Sequence, residues 1–325
     1  MSFARNASST ALTQVVRGVF GLAVGVLVTR WLSEADRGLY AVIATFALFG
    51  DSLGHVGMRL TVIYRMTRPG ASRPRAVGAA LELTLAAFAA ICLGAFGFSD
   101  ALRARLLLGA PPVFLVLGLA LAAADLFSGL SDAIARGIDR FDLRNANQLS
   151  IPVVTLVASA IALLGFGSGV LGALFATAVA RLALLALFFA LTLRQSGLAW
   201  TLDRRELRES LAFGWKGWLQ ALLAKAHERA DVVVMAVLLL DPAQIAVYAV
   251  AVQVVDRLRV VPEAVSSALL PTLATMPAAE SGAYTARVTR HTVFWVALSG
   301  AALALAAPLL QPLIFGERYA PSVLP

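Results

Sequence analysis

Nine apolar runs constrain this chain more than any other feature. They cover 8–29, 39–64, 77–98, 111–133, 148–165, 170–193, 211–239, 245–270 and 292–314. Each is close to the roughly 20 residues a helix needs to cross a bilayer. The connectors between them are short, and none could fold as a separate catalytic domain outside the membrane. The chain is 59% hydrophobic and only 14% charged, with a mean hydropathy of +0.81. A soluble domain carries about 25% charge. Hydrocarbon offers the backbone no water, so spans of this kind must satisfy their own polar groups as helices. The composition therefore predicts an all-α integral membrane protein.

The formal net charge of +8 does not point to nucleic acid, because its cations cluster in short loops. Arg65, Arg68, Arg73 and Arg75 follow the second run, and Arg136, Arg140 and Arg144 follow the fourth. Arg194, Arg204, Arg205 and Arg208 follow the sixth. Fewer cations occupy the opposite side. By the positive-inside rule these loops and the N-terminus are cytoplasmic, and Pro325 lies at the far face. The first run is too long for a cleavable signal. Cys92 is the single cysteine, so no disulfide forms within the chain.

A repeat divides the chain. The stretch from Leu32 through Tyr40 to Val42 returns from Leu240 through Tyr248 to Val250, 208 residues later. Arg17, a charge inside an apolar run, lands at the same offset on Lys225. Duplicated halves of this kind are typical of transporters whose two bundles flank a substrate path. Residues 1–193 read as a six-helix N-terminal lobe. Residues 194–210 read as a cytoplasmic connector helix lying in the interface, with Leu202, Leu207 and Leu211 among charges. Residues 211–325 read as a second lobe with three helices. On this repeat, residue 325 matches residue 117, so a complete second lobe would extend beyond Pro325.

Charges in mid-membrane need a partner, a cavity or a task. Arg17 shares a helix face with Gln14, Gly18, Gly21 and Gly25. It either pairs with a carboxylate or projects into a cavity and binds an anion, and its recurrence as Lys225 favours the cavity. Asp51, His55 and Arg59 stand at i, i+4 and i+8, one polar stripe on an apolar helix. They form either a self-satisfied chain or a proton or substrate site, since histidine titrates near neutral pH. The seventh run holds Lys225, His227, Glu228, Arg229 and Asp231. The eighth holds Asp256, Arg257, Arg259 and Glu263, with Pro262 expected to kink it. Arg181, Asp125 and Asp132 complete the inner charges. No Walker loop, no dinucleotide-binding glycine motif and no HExxH is present. His55, His227 and His291 lack metal-ligand spacing. Neither an enzyme, nor a cofactor, nor a bound metal is indicated.

Several segments match a known group. Arg30, Leu32, Ser33, Arg37, Gly38 and Tyr40 resemble the R-x-L-(small)-x-x-x-(F/R)-G-x-Y signature of polysaccharide and O-antigen flippases (Wzx-like), within the MATE/MOP exporter superfamily. Arg229 and Asp231, followed by Tyr248, resemble the family's R-x-D segment and second G-x-Y, with Ala246 where glycine is usual. Leu270-Pro271 resembles the motif ending its eighth helix, and Phe315, Gly316 and Tyr319 resemble its F-G-x-x-Y turn. The resemblance implies a two-lobe MATE/MOP-type helical bundle, C-terminally incomplete here. It implies a flippase of the bacterial inner membrane that exports lipid-linked oligosaccharide, usually undecaprenyl-diphosphate-linked, by alternating access. Its partners would be that substrate, membrane lipids and an H+ or Na+ coupling ion. Arginine and lysine suit a diphosphate. Arg17, Arg59, Lys225, Arg181 and Arg257 are the candidate cavity cations, and Asp51, His55, Asp231 and Asp256 the candidate coupling residues.

Three alternatives stay open. A MATE-type multidrug antiporter would favour acidic cavity residues for cationic drugs. A membrane polysaccharide polymerase or glycosyltransferase would carry a sizeable extracytoplasmic loop. A non-functional fragment would leave a cavity between lobes open to lipid.

Overall fold

The computed structural model describes the chain apart from residues 1, 71, 201–202, 239–240, 260–261, 263–264, 266–268, 270–272, 274–275 and 324–325. The side chains of 2–12, 15, 257, 278–279, 321 and 323 are likewise outside the described set. The described residues form helices and no strand. In order they are α1 (Ser2–Trp31), α2 (Glu34–Gly54), α3 (Met58–Thr67), α4 (Arg73–Gly97), α5 (Ser99–Arg105), α6 (Pro112–Gly137), α7 (Phe141–Ala160), α8 (Gly169–Ser196), α9 (Arg204–Leu238), α10 (Pro242–Val255) and α11 (Ala278–Phe315). A π-helical turn, Ile161–Gly165, extends α7, and 3-10 turns cover Asp256–Arg259 and Glu317–Val323. Among the described residues eight of the nine apolar runs fall on these helices, and the eighth begins on α10, while much of it, with Glu263 and Leu270-Pro271, lies outside the described residues. Among the described residues five helices are long and apolar enough to span a membrane alone, and α2 with α3 makes a sixth as a bent pair.

Two compact units emerge, Met1–Ile245 and Ala246–Pro325. In the first, α6 is the centre and packs against α2, α3, α7 and α8. Small residues let it approach α2 closely: a side chain at Gly50 would strike Ala122, and one at Gly118 would strike Phe46. The second unit is built on α11. Its end is shaped by Gly316, whose φ of 101° breaks the helix. Tyr319 then folds back, fully buried, with its N–H donating to the Gly316 carbonyl at 3.0 Å. That accounts for the F-G-x-x-Y pattern as a helix stop.

The R-x-L-(small) signature is also a piece of local structure. Ser33 caps α2, its side chain accepting from the Asp36 N–H at 3.1 Å, with Glu34 and Asp36 in the first turn. Arg37 is buried and donates from Nε to Thr29 Oγ1 at 3.0 Å. A side chain at Gly38 would collide with the Pro242 backbone. At the repeat offset, Asp241 stands where Ser33 does. Its Oδ1 accepts from the Ala243 N–H at 3.0 Å at the start of α10.

The second apolar run is not one continuous helix. It breaks between Gly54 and Met58 and bends by 41°. Val56 has φ of 34° and Gly57 φ of 80°, a left-handed turn that only glycine adopts freely. The reason lies in α9. A side chain at Gly57 would run into the Gly214 backbone. The carbonyl of Ser52, near the break, takes a hydrogen bond from Trp218 Nε1 at 2.9 Å.

The 194–210 stretch ends α8 and pins to α4 through Ala199 N–H donating to the Pro74 carbonyl at 3.0 Å, and from Arg204 it belongs to the 35-residue α9. Glu206 and Glu209 there hold Arg65 at 3.4 and 3.3 Å. Arg65 Nη1 also donates to Ser210 Oγ at 2.6 Å. Tyr64 stacks on Phe213 with centroids 4.2 Å apart.

The break is testable by substitution. Gly57→Ala meets both a left-handed backbone and the Gly214 main chain. Gly109→Ala meets φ of 73° with nothing within 4 Å, a cost of about 1–2 kcal/mol. Thermal melts of the solubilised protein should show Gly57→Ala losing clearly more stability. Equal losses would mean that the α9 contact contributes nothing.

Candidate functional site

Each polar side chain inside the first unit traces back to a helix and a register. On α6, Asp125, Ser128, Gly129, Asp132 and Arg136 recur at i, i+3, i+4, i+7 and i+11, which places them along one face. Two groups of charges assemble on that face.

The first group joins four helices. Arg59, just past the α2–α3 break, pairs with Asp51 before it through both carboxylate oxygens, with Nη1 to Oδ2 at 3.3 Å. Its Nη2 reaches across to the carbonyls of Asp125 and Leu126 at 3.1 and 3.3 Å. The carboxylate of Asp125 pairs with Arg181 on α8. Asp125 therefore bridges Arg59 and Arg181. Gly129 makes room for this: a side chain there would occupy the place of the Arg59 guanidinium. The Nε atoms of Arg59 and Arg181 are buried without a hydrogen-bond partner.

The second group lies toward the C-terminal end of α6. Buried Asp132 accepts from Asn147 Nδ2 at 2.7 Å and Gln148 Nε2 at 3.1 Å. Asn147 Nδ2 also donates to Ser128 Oγ at 2.8 Å. Asn147 Oδ1, Gln148 Oε1 and the Nε of Arg144 are buried with no partner. Arg136 and Arg144 sit close enough to Asp132 to interact with it electrostatically.

The sequence candidates fall in different places. Asp51 and Arg59 meet as expected of the polar stripe. His55 instead serves the break, its Nδ1 accepting from the Gly57 N–H at 3.2 Å. Arg17 is exposed on α1 and forms no ion pair among the described residues. It lies within electrostatic reach of Arg144 and Arg181. Lys225 differs from its repeat partner: Nζ pairs with Glu228 Oε2 at 2.8 Å on its own helix. At the same offset α1 carries Phe20. Asp231 accepts through Oδ1 from the Val232 N–H at 2.8 Å. Asp256 lies in the 3-10 turn Asp256–Arg259, and the Arg257 side chain is outside the described residues. Gly129, Asn147 and Gln148 were not among the sequence candidates. The i, i+4, i+7 recurrence from Asp125 was the signal for Gly129. Asn147 and Gln148, at a span boundary, offered none.

Apolar spans, a broken second helix and charged groups inside the bundle describe a multi-pass helical membrane protein. The chain belongs to the polysaccharide biosynthesis protein family, whose model matches residues 27–324. Among curated proteins none matches significantly. Solved structures share the fold of MATE/MOP-type transporters. An inward-facing multidrug resistance MATE family transporter of the MOP superfamily is similar with a TM-score of 0.68 and 18% identity, covering 94% of this chain and 76% of that one. The MATE multidrug transporter DinF-BH gives 0.64 and 17%, covering 96% and 75%. A MATE in the straight conformation gives 0.55 and 18%, covering 98% and 76%. These identities carry the fold alone. The all-α membrane architecture and the Wzx-like, MATE-superfamily resemblance are thus borne out, and family and fold together point to a transporter.

The ion pairs yield a double-mutant test. Removing one member of a partly buried pair strands the other in an apolar setting. Arg181→Met should therefore lower the melting temperature more than Arg181→Met with Asp125→Leu. Likewise Gly129→Ala should destabilise more than Gly94→Ala, a site with nothing within 4 Å. Indistinguishable melts within either pair would remove the network's structural role.

Proposed function

We propose that this transporter moves a lipid-linked oligosaccharide, undecaprenyl-diphosphate-linked, across the bacterial inner membrane during cell-surface polysaccharide synthesis. The observation that carries the reading is Arg17: an exposed cation on α1, without an ion pair among the described residues and near Arg144 and Arg181. Arg17 and Arg144, neither in an ion pair among the described residues, make a positive field that repels cations and attracts a diphosphate. A lipid tail can stay in the bilayer, so only the headgroup needs a polar path.

In this reading Arg59 and Arg181, each committed to a carboxylate, hold the helices that present the field. Arg17 contacts the headgroup, and Lys225, with Glu228 beside it, contributes from the repeat position. The N-terminus is cytoplasmic. A proton or sodium gradient resets the cycle, with Asp51, His55, Asp231 and Asp256 as the groups to test for coupling.

Export of surface polysaccharide in a flippase-deficient strain tests this. A charge-assisted contact is worth about 1.5–3 kcal/mol, so Arg17→Ala should lower export roughly tenfold or more at unchanged membrane levels. Lys225→Ala should lower it less. Undiminished export by both variants would overturn the assignment. Export of a cationic compound instead of lipid-linked sugar would make the chain a multidrug antiporter.

A further inference from the structure

One pocket in the first unit shares only Arg136 with the charge groups described above. It measures about 560 Å³ and opens where α3 ends, α4 begins and α6 ends. Arg68, Arg73 and Arg136 line it, together with Thr67, Gly70 and Asp139. All three arginines are exposed, and none forms an ion pair with a carboxylate among the described residues. Asp139 is the one acid in the lining and leaves two positive charges in excess. The neighbouring Asp132 is buried beneath and already accepts from Asn147 and Gln148.

The arginines are held by their surroundings. Arg68 packs over the Tyr64 ring at 5.3 Å, and that ring stacks on Phe213. Arg73 is the first residue of α4, a 25-residue helix whose cap residue Ser72 makes no side-chain capping bond. The positive end of that helix therefore adds to the field. Arg136 occupies the last turn of α6. Gly70 has φ of 77°, and a side chain added there would meet nothing within 4 Å, so the mouth is open. Arg140, by contrast, forms a bidentate pair with Asp142, which raises its pKa, and also bonds Gln195.

Guanidinium groups present paired donors that match phosphate oxygens. The pocket has room for a group larger than bare phosphate. It lies at the ends of three membrane helices, the depth at which lipid phosphates sit. We infer that Arg68, Arg73 and Arg136 form a binding site for a phosphate group, presented by the headgroup of an anionic membrane lipid. The site does not depend on the oligosaccharide reading.

The test uses the full chain purified in neutral detergent, with binding of short-chain phosphatidic acid, the matching diacylglycerol and inorganic phosphate followed by native mass spectrometry. Phosphatidic acid should be retained and diacylglycerol should not. Arg68→Gln/Arg73→Gln/Arg136→Gln should weaken retention about tenfold or more, the equivalent of losing one charge-assisted contact. Arg205→Gln, which removes an exposed cation from α9, should leave it unchanged. Arg73→Gln alone serves if the triple variant fails to fold. Inorganic phosphate binding with the same variant dependence would keep the site and identify a soluble source. Retention of diacylglycerol equal to phosphatidic acid, or unaltered binding in the arginine variants, would overturn the inference.

Discussion

Asp125 carries two loads at once, and much of the first unit depends on that. Its main-chain carbonyl receives Arg59 from the broken helix pair, and its carboxylate receives Arg181 from α8. In an apolar medium a lone guanidinium is costly, so each arginine fixes the helix that bears it. Three helices are thus tied to α6 at one level. Gly129 is the geometric condition for the tie, because any side chain there would displace Arg59. Unpartnered Nε atoms at both arginines leave donor capacity beyond what the network itself consumes.

Helices were legible in the sequence because hydrocarbon permits little else, and length alone located the apolar runs. The signatures were legible as patterns, but their content was not. Ser33 and Asp241 are caps, Gly38 is a close approach and Gly316 is a helix stop. Each belongs to local backbone chemistry before it belongs to transport. The break in the second run was less visible. Gly54 and Gly57 flag it weakly, whereas the cause, Gly214, lies far along the chain. No local reading joins residues 57 and 214.

The charges show the same division. Asp51 and Arg59 were legible through their spacing, and their meeting survives a bend that spacing alone would not foresee. His55 shared the stripe yet serves the turn, because the chain reverses its helical sense beside it. Arg17 and Lys225, which the repeat places at one offset, differ in chemistry. A glutamate one turn away neutralises Lys225, while the corresponding position on α1 is phenylalanine. Register is a property of duplication, whereas partners depend on every helix that packs nearby.

The contact between Gly57 and Gly214 has an evolutionary consequence. A side chain at 57 meets the main chain of 214, and one at 214 meets Thr61 and the main chain of 57. Neither position can enlarge while the other backbone stays in place. The two sites are therefore locked in mutual epistasis. A lineage that leaves one glycine must first move the helices apart, and relatives that lack the pair should have lost the bend as well.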